Sequence, residues 1–172
     1  MTDTPPLGDV AAWLRALLAL SGVPSPIDAG ALPADPVEMF LAWIGEAVDA
    51  GVPEPHAATL ATVDPDGIPD ARTLILKDVG SRGWAFAGTR SSGKGRQLAH
   101  RPAAALDFWW QPLMRAVRAR GPVVEATRAE SEADLAARSP AAREGIPTED
   151  WVLWRLVPAA RRVLAGRARS AP

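Results

Sequence analysis

Residues 88–94 run Gly-Thr-Arg-Ser-Ser-Gly-Lys, just ahead of a segment with helical character that holds Gln97 and Leu98. A helix start leaves its first N–H groups without intrahelical partners and carries the positive end of the helix dipole. Hydroxyls, glycines and a lysine placed there suit an anion. Arg72 and Lys77 lie on the strand-like segment just upstream and can add charge-assisted bonds to the same group. Together these residues read as a site for a phosphate-bearing cofactor. Arg72 and Lys77 have opposite parity, so a straight strand sends them to opposite faces. Both reach one ligand only if a bulge or the strand end turns Lys77; otherwise they are solvated strand charges.

The same stretch stops one residue short of the nucleotide loop G-x-x-x-x-G-K-[ST]. Gly88, Gly93 and Lys94 match, but Gly95 stands where a hydroxyl would ligate magnesium. The alternating strands and helices of a parallel sheet are also missing, so an ATPase or GTPase is not expected. Trp109-Trp110, with Arg115, Arg118 and Arg120 nearby, could stack bases and hold phosphates. The simpler expectation is one indole in the core and one at an edge or interface. There is no cysteine, and His56 and His100 are the only histidines. That excludes disulfides and thiolate chemistry and leaves too few ligands for a zinc constellation, so no metal is expected. No catalytic acid or base stands out.

At 172 residues the prior is one domain spanning 1–172, able to bury a core without staples. The net charge of −1 conceals an asymmetry: residues 1–66 carry ten acids and one base, Arg15, leaving 18 bases against 10 acids from residue 67 on. A basic half suggests an anionic ligand; alternatively, the halves neutralise each other across a fold or dimer contact. No apolar run reaches the roughly 18 residues of a membrane span and no signal peptide opens the chain. A soluble cytoplasmic protein is expected, with a small-molecule ligand and with neither membrane nor nucleic acid as partner.

Two N-terminal helices are predicted within residues 1–54. The first follows Asp9, with Val10, Trp13, Leu14, Leu17 and Leu18 at helical spacing. The second is capped by Asp35, with Pro36 in its first turn, Glu38 completing a capping box, an apolar side of Met39, Phe40, Trp43, Ile44 and Val48, and Gly51 at its end. From Pro55 the period becomes strand-like. Strands are predicted at 56–63, 71–78, 84–88, 103–110, 113–124 and 151–157, with a last one at 161–164. Helices are predicted from Ser92 to about His100 and from Thr127 to about Arg138. Strands joined by short turns, with helices set apart, predict a mostly β, antiparallel sheet or small barrel with flanking helices.

Four pieces from Pro55 to about Gly166 resemble the pyridoxamine phosphate oxidase family of FMN proteins. They are ATVDPDGIPDARTLILKDV, WAFAGTRSSGKGRQLAHRPAAALDFWW, LMRAVRARGPVVE and WRLVPAARRVLAG. The resemblance implies an FMN-binding split β-barrel over 55–166, a tail over 167–172, and a homodimer with FMN at its interface. It implies that Arg72, Thr73, Leu74, Ile75, Leu76 and Lys77 line FMN, with Arg72 at the phosphate and Lys77 near flavin and substrate. It places Gly88, Ser92, Gly93 and Lys94 in the phosphate-binding turn, and Arg138 on a substrate phosphate. The implied activity is an FMN-dependent oxidation of a vitamin B6 phosphate with oxygen as acceptor. Alternatives on the same barrel are a phenazine-type or deazaflavin-related substrate, or ligand binding without catalysis. Several positions depart from the family pattern. Ala87-Gly88 replaces Tyr-Thr, Gly93 an arginine, Ala116 a glutamine, Asp134 a tyrosine and Ala142 a serine. Val163-Leu164 replaces Phe-Trp, and the closing Arg-Leu-His has no counterpart.

Overall fold

The computed structural model describes residues 10–18, 24, 26, 27, 30, 32–158, 166 and 167. Its strands are β1 (Ala57–Val63), β2 (Pro69–Ile75), β3 (Asp78–Gly80), β4 (Gly83–Thr89), β5 (Ala103–Trp110), β6 (Arg115–Glu125), β7 (Trp151–Leu156) and β8 (Gly166–Arg167). The helices are α1 (Val10–Ala16), α2 (Pro36–Asp49), α3 (Gly93–His100), α4 (Arg128–Ala136) and α5 (Pro140–Arg143). Every paired strand is antiparallel to its neighbour, in the order β2-β1-β5-β6-β7-β4-β3, with β8 beside β6. This is the expected antiparallel split barrel with flanking helices, preceded by two N-terminal ones. Asp9 and the strand expected at 161–164 lie outside the described residues.

β2 and β3 are the outer members of that order, yet only Leu76 and Lys77 separate them in the chain. The Leu76 N–H still donates to His56 O on the β1 side, at 3.0 Å, while the next N–H, of Lys77, donates to Ala85 O in β4 at 2.7 Å. The sheet curls until its two edges meet at these two residues. The single strand expected over 71–78 is therefore two. A closing sheet makes the chain leave one edge and join the other, and the ladder cannot run straight through that corner. β6 likewise starts at Arg115 rather than Leu113, because residues 111–113 form a 3-10 turn and Met114 takes a left-handed conformation (φ 50°).

α2 plugs the barrel. Asp35 caps it by accepting from the Val37 N–H at 2.8 Å, one residue short of the Glu38 N–H that a capping box uses. Its far end closes as a Schellman motif: Gly51 (φ 68°) and Val52 donate to the Val48 and Ala47 carbonyls at 2.9 Å. Met39, Phe40, Trp43 and Ala47 are buried, whereas Val48, expected on the apolar side, is 59% exposed. The Phe40 ring sits 4.4 Å from Trp84, 5.0 Å from Phe108 and 5.9 Å from Trp110. Trp110 is buried and donates to Pro55 O at 2.9 Å; Trp109 stays 44% exposed, the simpler of the two readings of that pair. Buried Arg115 stacks on Trp43 and pairs with Glu46 at 2.8 Å, joining the acidic first part of the chain to the basic remainder.

α4 begins with the predicted capping box of Thr127 and Glu130. The Thr127 N–H and hydroxyl, then Arg82, hold the Glu130 carboxyl down to about 2. Buried Arg155 donates to Asp78 at 2.8 Å and to Glu130 at 3.1 Å, tying β7 to β3 and α4. Among the described residues, no helix is long and apolar enough to cross a membrane and no group of side chains could hold a metal.

Candidate cofactor phosphate site

β1 and β2 pair with Leu60 opposite Arg72 and Thr62 opposite Asp70. Directly opposed residues share a face, so Arg72 and Asp70 lie on the side that carries buried Leu60 and Thr62. α3 packs along that side of β1 and brings in Gln97. The Arg72 guanidinium donates to Thr62 Oγ1, to Asp70 Oδ2 at 2.5 Å and to Gln97 Oε1 at 2.8 Å. Gln97 Nε2 donates to Asp70 Oδ2 at 3.0 Å, and the Thr62 hydroxyl to Gln97 Oε1 at 2.5 Å. Gln97, and then the Arg72 charge, hold the Asp70 carboxyl below the usual range. Each member of this network answers another, so the direction of Arg72 is set before any ligand arrives.

α3 starts where β4 ends. Ser92 caps it: Oγ accepts from the Gly95 N–H at 3.3 Å and donates to Thr89 O at 2.6 Å. Gly95 is buried, and a Cβ there would run into the carbonyls of Arg90 and Thr89. The position where a nucleotide loop carries its magnesium-binding hydroxyl has no room for a side chain.

Lys94 folds back from the first turn of α3. Its ammonium lies 3.5 Å from Ser92 Oγ and 5.9 Å from the centroid of the Trp154 ring. It rests over Gly88, where a Cβ would overlap the end of the lysine side chain. Burial, and then the positive charge of Arg72, push its pKa below that of an ordinary lysine. Among the described residues, no carboxylate forms an ion pair with Lys94. A half-buried cation beside a second cation, without a counter-ion, is costly unless an anion joins it.

The remaining expected residues are distributed as follows. Thr73 is exposed on the other face, opposite Thr59; Leu74 packs against the core and Leu76 is buried in it. Ile75 is half-buried and Lys77 exposed. Gly93, the first residue of α3, has open space where a side chain would stand. Arg138 lies elsewhere. Its Nε donates to Ala142 O at 3.1 Å, and its guanidinium sits 4.8 Å over Trp151, whose Nε1 donates to Asp134 at 2.9 Å. Trp151 shares its face of β7 with Leu153 and Arg155, against α4, whereas Trp154 points the other way, to Phe86 and Lys94. One chain therefore gathers Arg72, Gly88, Ser92 and Lys94, and holds Arg138 across the strand from them. Val163, Leu164, Arg161, Arg162 and Arg169 lie outside the described residues.

Thr62, Asp70, Gln97 and Trp154 are additions to the site that sequence reasoning had not singled out. Asp70 was within reach of it, since residues two apart on a strand share a face. Thr62 and Trp154 belong to other strands, and only the pairing of those strands brings them in.

Comparison with known proteins bears on the fold and the family. The family model described as pyridoxamine 5'-phosphate oxidase matches residues 44–163. A pyridoxine/pyridoxamine 5'-phosphate oxidase from Thermosynechococcus vestitus is 49% identical over 111 residues, which cover 64% of this chain and 53% of that protein. The chain spans about half the length of the curated relatives it matches. Among solved structures, PhzG from Burkholderia lata, in complex with tetrahydrophenazine-1-carboxylic acid, has a TM-score of 0.70 at 22% identity, covering 80% of this chain and 84% of that one. A pyridoxamine 5'-phosphate oxidase-related, FMN-binding protein from Nostoc punctiforme has a TM-score of 0.57 at 20% identity, covering 69% of this chain and 80% of that one. At these identities the structural likenesses concern the fold. The family match extends over well more than half of the chain and contains the whole Arg72–Lys94 cluster, so this chain belongs to the pyridoxamine 5'-phosphate oxidase family.

Proposed function

We propose that this protein is an FMN-dependent oxidoreductase whose substrate differs from the vitamin B6 phosphates. The observation that carries the cofactor reading is Lys94, a half-buried ammonium beside Arg72 that no carboxylate pairs among the described residues. A phosphate monoester supplies the missing charge. Arg72, already oriented by Asp70, Gln97 and Thr62, would take one side of it and Lys94 the other. Bound FMN would supply the hydride acceptor, with oxygen as the terminal oxidant, while Arg72 and Lys94 would hold its phosphate. The chain's match to curated oxidases and the FMN-binding description of the Nostoc punctiforme neighbour support the reading. The direct test is the absorbance spectrum of the purified protein and the identity of the chromophore released on denaturation. Release of FMN is expected; a colourless protein that takes up no added FMN would overturn it.

A homodimer is part of this proposal. The outer face of β2, β1, β5 and β6 carries Ala71, Thr73, Ala61, Ala105 and Ala116 beside the exposed Trp109. An exposed indole on a sheet face suits contact with a second copy. Light scattering should give twice the chain mass, and a monomer with flavin bound would refute the dimer.

Pyridoxamine phosphate should be oxidised slowly or not at all. Arg138, the expected substrate-phosphate ligand, is already tied to Ala142 and Trp151, and Asp134 places a carboxylate beside the same indole. That carboxylate repels a phosphate. A substrate misplaced by about 1 Å loses on the order of a hundredfold in rate. A larger aromatic substrate is the preferred alternative, in keeping with the ligand of the PhzG neighbour. Peroxide release should stay well below about 1 per second with pyridoxamine or pyridoxine phosphate; turnover at that rate or above restores the vitamin B6 role.

A further inference from the structure

The turn that leads into α3 is held by a carboxylate from another part of the chain. β4 and β7 pair with Thr89 opposite Trp151. The ladder runs on by one residue, so the Arg90 N–H donates to Asp150 O at 2.6 Å. The Asp150 side chain then reaches one residue further. Its two oxygens accept from the Ser91 N–H at 2.9 Å and from the Ser91 hydroxyl at 2.5 Å. The Ser91 donors, chiefly the hydroxyl, hold the Asp150 carboxyl below the usual range. On its other side the turn is packed against buried Gly95, which leaves no space beneath the Thr89 and Arg90 carbonyls.

Two consequences follow for an anion at this helix start. The Ser91 hydroxyl and N–H are already committed to an internal carboxylate. A ligand phosphate is therefore steered away from Ser91 and toward Lys94 and Arg72. The backbone from Arg90 to Ser92 is also fixed in place, and with it the cap from which Lys94 projects.

We propose that Asp150 is a positioning residue of the cofactor site: it clamps the 89–92 turn through Ser91 so that Ser92 and Lys94 are held in place for a phosphate. This rests on the FMN reading above and names a residue of that same site. Asp150 does not touch the ligand; it acts through Ser91.

The test is the ratio of FMN to riboflavin affinity in the full-length protein, by fluorescence titration, for wild type, Asp150→Ala and Asp150→Asn. Alanine removes both bonds to Ser91. It should weaken FMN about tenfold and leave riboflavin nearly unchanged, a loss typical of one strong hydrogen-bonded contact. Asparagine can keep an acceptor for the Ser91 N–H, and should retain most of the wild-type ratio. A purely structural role would lower both affinities together. Hence an unchanged ratio in Asp150→Ala, or an equal loss in Asp150→Asn, overturns the proposal. If wild type itself shows no preference for FMN, the cofactor reading fails and this inference with it. If wild type prefers FMN while the alanine variant keeps that preference, only the role of Asp150 fails.

Discussion

Lys94→Ala is expected to bind FMN about 10- to 150-fold more weakly than wild type, with riboflavin affinity hardly altered. The range follows from the loss of one charge-assisted bond, about 1.5–3 kcal/mol, at about 1.4 kcal/mol for each tenfold. The effect should sit in the upper part of that range. The ammonium is half-buried and has no competing carboxylate among the described residues, so its charge is little screened. Arg72→Ala should give a loss of the same size with an added cost. It strips Asp70, Gln97 and Thr62 of the cation that they surround, so a lower midpoint of thermal unfolding should accompany it. Lys94→Ala removes an unpaired, half-buried charge and should not lower that midpoint. Isothermal titration with both ligands separates these effects. FMN affinity unchanged in Lys94→Ala would place the phosphate elsewhere.

Phe40→Ala is expected to destabilise the fold by about 3–5 kcal/mol, the range for removing a buried aromatic side chain from a packed core. Phe40 is 1% exposed and its ring lies within 6 Å of Trp84, Phe108 and Trp110. Those three belong to β4 and β5, so the residue fastens α2 across the barrel mouth and the neighbouring rings have little freedom to collapse into the gap. Against a total stability of about 5–15 kcal/mol this is a large fraction. Urea unfolding followed by tryptophan fluorescence measures it. A loss under about 1 kcal/mol would mean that α2 is not an integral part of the core.

Much of this fold is legible in the sequence. The strands at 57–63, 103–110 and 151–156, the capped helices α3 and α4, and the α2 segment follow from alternation, caps and turn residues. These signals are local: they act within a few residues and survive whatever the rest of the chain does. The helix start at Ser92, Gly93 and Lys94 was legible for the same reason, since its cap is a local feature.

Other features depended on residues far apart in the chain. Periodicity alone predicted one strand over 71–78, because the apolar pattern runs through without a break. The break at Leu76 and Lys77 exists because the sheet closes on itself there, and closure is a property of all the strands together. Gly95 looked like a missing magnesium ligand; it is glycine because the backbone at Thr89 and Arg90 comes too close for any side chain. Val48 turned outward while Ala47 turned in, since the helix rotated to seat Phe40 and Trp43 among the barrel's aromatic rings. The sequence determined the elements of this protein and an anion-favouring helix start at Ser92 and Lys94, through short-range sterics, capping and charge. The tertiary structure alone decided which cations come together. Strand register put Arg72 beside Gln97 and Lys94 over Trp154, and it sent Arg138 to the far face of β7, because adjacent residues of a strand point to opposite sides.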